Sequence, residues 1–196
     1  GDARAKQVWK KPMAVMVDRY SASASEIFAG AIQDYQRGII IGQKTFGKGT
    51  VQKLDDLSVG QIKITESKFY RITGAGMQNK GINPDITLPS TWDIEDSGES
   101  SYDTALPWDE IKPVRYKKFS MDASLISQLN DEHLKRVNQN PNLQYILDIR
   151  KRYEAQKNKD VISLNLTNRR IEKKERQSWA LDIENKRRAS LDLDTF

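Results

Sequence analysis

A strand–helix–strand unit near the amino terminus, a glycine-rich turn feeding longer strands, and a charged helical tail predict an α/β core followed by a mainly helical extension. Lys11-Pro12-Met13-Ala14-Val15-Met16-Val17-Asp18 and Gly38-Ile39-Ile40-Ile41-Gly42 are short apolar runs bounded by Pro or Gly, the pattern of strands buried on both faces. Between them, Ile27, Phe28, Ala31, Ile32 and Tyr35 recur at i, i+1, i+4, i+5 and i+8, so the stretch from Ser25 to Tyr35 is an amphipathic helix. Strand, helix and strand joined by short links form a βαβ unit, which makes the two strands parallel. From Val51 the strands lengthen, and in Gln61–Ile72 the residues Ile62 and Ile64 alternate with Lys63 and Thr65 as in a half-exposed strand.

Residues 91–120 interrupt this pattern. Asp93-Ile94-Glu95-Asp96-Ser97-Gly98-Glu99-Ser100-Ser101 is acidic and Ser-rich, hence a linker or surface loop. Residues 121–196 form a helical, basic extension, with helices over 122–130, 131–138, 142–157 and 168–188. Pro141 starts a new helix after Asn140, and Ile162-Ser163-Leu164-Asn165-Leu166 is a strand-like interruption. The core thus occupies residues 1–90. It begins abruptly, with no Met and no signal-peptide pattern before the first strand, and reads as a piece of a longer chain.

Composition narrows the chemistry. Of 196 residues none is Cys and one, His133, is His. Disulfides, thiolate zinc sites, cysteine nucleophiles and two-His metal sites are therefore excluded within this chain. A net charge of +5 is a mild basic excess, below what a nucleic-acid binder carries. No apolar run approaches the roughly 20 residues of a membrane span.

Two segments could carry chemistry. Ser21-Ala22-Ser23-Ala24-Ser25-Glu26 lies between a strand and a helix, and Ser23 with Glu26 three residues on is a capping-box pattern. The same turn would present a serine outward beside unpaired helix N–H groups able to hold a developing oxyanion. The second segment, Gly42-Gln43-Lys44-Thr45-Phe46-Gly47-Lys48-Gly49-Thr50, matches G-x-x-x-x-G-K through Lys48. It then places Gly49 where a phosphate loop needs Ser or Thr, and no helix follows. The glycine-rich turn with a solvated lysine is the simpler reading. Lys48 is also a candidate base for a serine, since a desolvated lysine can take that role. Phe46 and Ile41 would provide its apolar cover.

Asp18-Arg19-Tyr20-Ser21-Ala22-Ser23-Ala24-Ser25-Glu26-Ile27-Phe28-Ala29-Gly30-Ala31, then Gly42 and Thr45-Phe46-Gly47-Lys48-Gly49-Thr50-Val51-Gln52, closely resemble the C-terminal processing peptidases, most of all the bacterial tail-specific branch. Asn83-Pro84-Asp85 behind Gly81 fits the same family, and Ala105–Asp109 and Ile162–Asn165 resemble anchors of that branch's helical extension. The resemblance implies a crotonase-like core with Ser23 as nucleophile, rather than Ser21 or Ser25. It implies Lys48 as general base, Gln52 as its support, the Ala24 N–H as half of an oxyanion hole, and Asp34 as a supporting acid. It implies no cofactor and no metal. The partners it implies are protein substrates with apolar C-termini, an upstream PDZ-containing part of the same protein that also completes the oxyanion hole, and room for an adaptor protein. The compartment it implies is the periplasm, with room for association at the inner membrane surface. Taken alone, this stretch is expected to be nearly inactive, and the segment between Gln52 and Ile62 is short for the branch. The alternative is a non-catalytic module whose basic residues, among them Arg150, Lys151, Arg152, Arg169, Arg170, Lys173, Lys174, Arg187 and Arg188, dock an acidic partner or an anionic surface.

Overall fold

The computed structural model describes residues 9–91, 97–157, 159 and 161–196. The start of the chain and the acidic residues Asp93–Asp96 of the expected linker lie outside the described residues. The described residues fall into two units, one within Gly1–Leu88 and Asp93–Asn130, the other within Pro89–Trp92 and Asp131–Phe196.

The first unit is the mixed α/β part. Strands β1 (Ala14–Val17), β2 (Ile39–Gly42) and β5 (Ile86–Thr87) form a parallel sheet in the order β1-β2-β5. Helix α1 (Ala24–Asp34) is the crossover between the first two strands, as the βαβ pattern predicts, but it buries Glu26, Ala29, Gly30 and Asp34, while Ile27, Phe28 and Ala31 of the expected apolar stripe are exposed. Its C-terminus closes with Gln36 at φ 53°, the Arg37 N–H reaching the Ile32 carbonyl at 2.9 Å and the Gln36 N–H reaching Gln33 at 3.0 Å. That is a Schellman arrangement with Gln where Gly is usual, and it turns the chain straight into β2. Val17, Ala29, Ile40, Met77 and Ile82 are the buried core, with Val15, Ile32 and Phe69 packed against it.

Strands β3 (Thr50–Asp56) and β4 (Gln61–Lys68) make an antiparallel hairpin with a register shift between Val51 and Gln52. Two expectations change here. β4 stops at Lys68 rather than continuing to Ile72, because Tyr70 leaves the hairpin to bridge Gly76. It is also exposed on both faces rather than on one, since among the described residues no layer covers Ile62 or Ile64. Asp85 of the Asn-Pro-Asp segment has a structural task. Its carboxylate accepts from the Ile40 N–H at 2.7 Å and the Gln33 side-chain amide at 2.9 Å, fixing the entry to β5 against β2 and α1. Residues 105–119 run over this unit, tied by the Trp108 indole N–H to the Gly76 carbonyl at 2.9 Å and the Phe119 N–H to the Tyr35 carbonyl at 2.8 Å.

The tail is helical. Helix α2 (Ala123–Gln139) is one continuous helix where two were expected at 122–130 and 131–138; Asn130 and Asp131 sit in its middle without breaking it. Helices α3 (Pro141–Lys157) and α4 (Leu166–Ala189) pack together in the second unit. Arg152 stacks on Trp179 with its guanidinium 4.3 Å from the ring centre, and Arg187 donates to Asn142 at 2.8 Å while pairing with Glu184 at 2.6 Å. The strand-like reading of residues 162–166 is corrected. Among the described residues this segment pairs with no strand, and Asn165 ends it by capping α4, its side-chain oxygen accepting from Thr167 N–H at 2.9 Å and Asn168 N–H at 3.2 Å.

Asn165→Ala should lower the stability of the helical unit by about 1 kcal/mol, the usual worth of an N-cap side chain. Urea unfolding followed by helical circular dichroism checks this, and Asn165→Asp should retain most of the lost stability.

Candidate active site

The site is built by two turns and the carboxylate that joins them. After β1 the chain reverses into α1 within a few residues. Asp18 makes that turn, its carboxylate accepting from the N–H groups of Tyr20 and Ser21 at 2.9 Å each and from the Ser21 hydroxyl at 3.1 Å. The Ser21 side chain is thereby engaged in the turn. Ser23 follows as the N-cap of α1, with φ 56° and ψ −114°. Such a backbone conformation in a residue other than glycine costs on the order of 1–3 kcal/mol and persists only where its surroundings impose it.

Glu26 imposes it. Fully buried, its carboxylate accepts from the Ser23 N–H at 2.8 Å, the Gly47 N–H at 2.7 Å, the Lys48 N–H at 2.9 Å and the Thr45 hydroxyl. Thr45, also fully buried, accepts in turn from the Ile82 N–H at 2.7 Å. Arg19 supplies the compensating charge nearby. It is buried and donates to the carbonyls of Thr45 and Ser97. Burial lowers the affinity of its guanidinium for the proton, while the Glu26 charge acts in the opposite direction.

This explains the near-match to a phosphate loop. The N–H groups of Gly47 and Lys48 already face an anion, which belongs to the protein. The next N–H, of Gly49, donates to the buried Gln78 side chain at 2.9 Å. The glycines serve close packing. A side chain at Gly49 would come within 2.5 Å of the Gln78 backbone nitrogen, and one at Gly42 within 1.8 Å of the Val17 carbonyl across the β1–β2 ladder.

Ser23, Ala24 and Ile27 from the start of α1, Lys48, Thr50, Val51 and Gln52 from β3 and its approach, and Lys63 and Phe69 from β4 and its exit line one cleft of about 360 Å³. Four of the five residues singled out from sequence, Ser23, Ala24, Lys48 and Gln52, thus meet in one place. The Ala24 N–H belongs to the first turn of α1, where helix N–H groups have no partner from a preceding turn. Asp34 is the exception. It lies a helix length away, buried, its two oxygens held by Arg71 at 2.5 and 2.9 Å. The apolar cover expected from Ile41 and Phe46 comes instead from Ile27, Val51 and Phe69, because Ile41 is inside the sheet and Phe46 turns towards Tyr102. His133 takes no part. It is buried on α2 with its Nδ1 2.8 Å from an Arg136 nitrogen. Glu26 had a signal in the sequence, the Ser-x-x-Glu spacing, which reads as a helix start. Its links to Gly47 and Lys48, 21 and 22 residues on, are visible only in three dimensions.

Comparison with known proteins agrees in both parts of the chain. Residues 1–88 match peptidase family S41, and residues 92–196 match the C-terminal domain of tail specific protease. The chain belongs to the tail-specific proteases. It is 40% identical over 183 residues to the tail-specific protease of Haemophilus influenzae, covering 87% of this chain and 26% of that protein. A chloroplastic C-terminal processing peptidase from Tetradesmus obliquus is 42% identical over 78 residues, 39% of this chain and 17% of that one. Among solved structures, a photosystem II D1 C-terminal processing protease aligns over 39% of this chain and 20% of its own, at 42% identity and a TM-score of 0.37. The chain spans about a quarter of the length of its tail-specific relative. Among the described residues no helix is long and apolar enough to cross a membrane.

Glu26→Ala would leave several buried donors without an acceptor, each costing about 1–3 kcal/mol. A loss on the order of 3 kcal/mol or more is expected, read as a fall in thermal midpoint; Glu26→Gln, which keeps one acceptor oxygen, should lose less. With its N–H groups facing Glu26, the glycine-rich loop should give no ATP–magnesium-dependent thermal shift. A reproducible stabilisation by ATP would show that this loop still binds phosphate.

Proposed function

We propose that the cleft is the Ser/Lys centre of a serine endopeptidase. The observation that carries this reading is the meeting of Ser23, on a strained strand-to-helix turn, with Lys48 and Gln52 in one partly apolar cleft. A serine on such a turn is presented outward, clear of its neighbours, beside the N-terminus of a helix. Neutral Lys48 takes the Ser23 hydroxyl proton as Oγ bonds to the substrate carbonyl carbon. The oxyanion formed is met by the Ala24 N–H, and the carbon–nitrogen bond breaks as Lys48 returns the proton to the leaving amine. Water then attacks the acyl-enzyme with Lys48 again as base, releasing the acid and restoring Ser23. Gln52 is four residues past Lys48, on the side of the hairpin that faces the cleft, where it steadies the lysine. These steps draw on no metal or cofactor.

Membership of the tail-specific proteases supports the rest of the reading. The substrates are periplasmic proteins recognised by apolar C-termini, gripped by a PDZ-containing part of the same protein, with an adaptor as a further partner at the inner membrane surface. Asp34, tied to Arg71, acts as a structural support for α1 rather than at the reacting atoms. In the alternative of a basic docking module, Arg150, Arg169, Arg187 and Arg188 are already paired with Glu154, Glu172 and Glu184 of their own helices, which leaves Lys151, Arg170, Lys173 and Lys174 to dock a partner.

In the full-length protein, Ser23→Ala and Lys48→Ala should each abolish cleavage of a substrate with an apolar C-terminus. Ser21→Ala and Ser25→Ala should leave measurable rates. Equal loss in all three serine variants, with folding intact by circular dichroism, would show that the turn matters rather than one hydroxyl.

A further inference from the structure

Lys63 is a cleft residue that the Ser/Lys chemistry leaves unused. In the hairpin it is the cross-strand partner of Leu54, two residues beyond Gln52, whose own partner is Thr65. Cross-strand partners share a face and alternate residues return to it, so Gln52 and Lys63 lie on one side of the hairpin, the side that lines the cleft. None of the residues lining the cleft is acidic. Two carboxylates of the hairpin are committed elsewhere, Asp55 to Lys53 at 2.8 Å and Asp56 to Gln61 at 2.7 Å, and the third, Glu66, alternates onto the face opposite Lys63. Among the described residues the Lys63 side chain has no hydrogen bond or ion pair. The cleft therefore presents a second lysine, two residue levels or about 7 Å along the hairpin from Gln52 at some 3.3 Å per residue, with no carboxylate among the described residues paired to it.

We propose that Lys63 is a specificity residue that receives a carboxylate of the bound substrate a few residues from the scissile bond. This rests on the cleft being the peptidase site. The carboxylate has two sources in a peptide, an Asp or Glu side chain or the free C-terminus, and both present the same chemistry to the ammonium. An exposed ion pair contributes up to about 1 kcal/mol, so the preference should be roughly two- to fivefold.

The test uses the full-length protein and peptides spanning a cleaved bond, with each residue from four before to four after the bond set in turn to Glu, Gln or Lys. Each is made with a free or an amidated C-terminus. The readout is the ratio of kcat/KM for Glu over Gln at each position, and for free acid over amide. In the wild type one of these ratios should stand at two to five and fall as salt is raised. Lys63→Gln should bring it to one, and Lys63→Glu should invert it in favour of Lys. The same ratios are measured as dissociation constants with Ser23→Ala, by fluorescence anisotropy, which needs no turnover. Retention of the binding ratio there, and its loss on adding Lys63→Gln, would support the assignment even if the peptidase reading failed. Ratios in Lys63→Gln equal to those of the wild type at every position and at the C-terminus would overturn it.

Discussion

A single buried carboxylate holds the candidate site together. Glu26 accepts hydrogen bonds from the turn that carries Ser23 and from the loop that carries Lys48, two segments more than 20 residues apart. Without an internal acceptor those N–H groups would have to be solvated or left unpaired, and neither fits a buried junction. A buried carboxylate in turn needs charge and donors to tolerate its own desolvation, which Thr45 and the neighbouring Arg19 provide. The separation between Ser23 and Lys48 is thus fixed by backbone-to-carboxylate bonds rather than by contact between their side chains.

The order of construction follows from this. The β1–β2 ladder and α1 come from local patterning, and they bring Asp18, Arg19 and Glu26 to one end of the sheet. The loop after β2 then closes over Glu26, and segment 77–82 backs it through Gln78, Asn79 and Ile82. Only after that does the hairpin leave the body, carrying Gln52 and Lys63 past the serine. Each layer satisfies polar groups that the preceding one leaves open.

Much of this was legible in the residues. Periodicity gave the parallel strand–helix–strand unit, since a buried strand of β-branched residues and an amphipathic helix have distinct repeats. The resemblance to the C-terminal processing peptidases pointed to Ser23, Ala24, Lys48 and Gln52, which the fold gathers into one cleft. What stayed hidden depends on distance in the chain. The hydrogen bonds of Glu26 to Gly47 and Lys48 and the bidentate hold of Arg71 on Asp34 join residues with no local pattern between them. Phe46 and Ile41 looked like cover for Lys48 by proximity in sequence, yet each faces a different layer. The extended look of residues 162–166 reflects β-compatible side chains without a strand edge to receive them. Propensity proposes a strand, but only a partner makes one.

The hairpin has a consequence for solubility. It pairs with no other strand among the described residues, and Leu54, Leu57, Val59, Ile62 and Ile64 are exposed along it. Free strand edges with apolar side chains are templates for association between copies. Here Lys53, Asp55, Asp56, Lys63 and Glu66 break every apolar run to one or two residues. Charges at this spacing act as gatekeepers, because two such hairpins aligned edge to edge would bury ionised groups against each other. The interleaving lets a ribbon with exposed apolar side chains stand beside the cleft without recruiting its own copies.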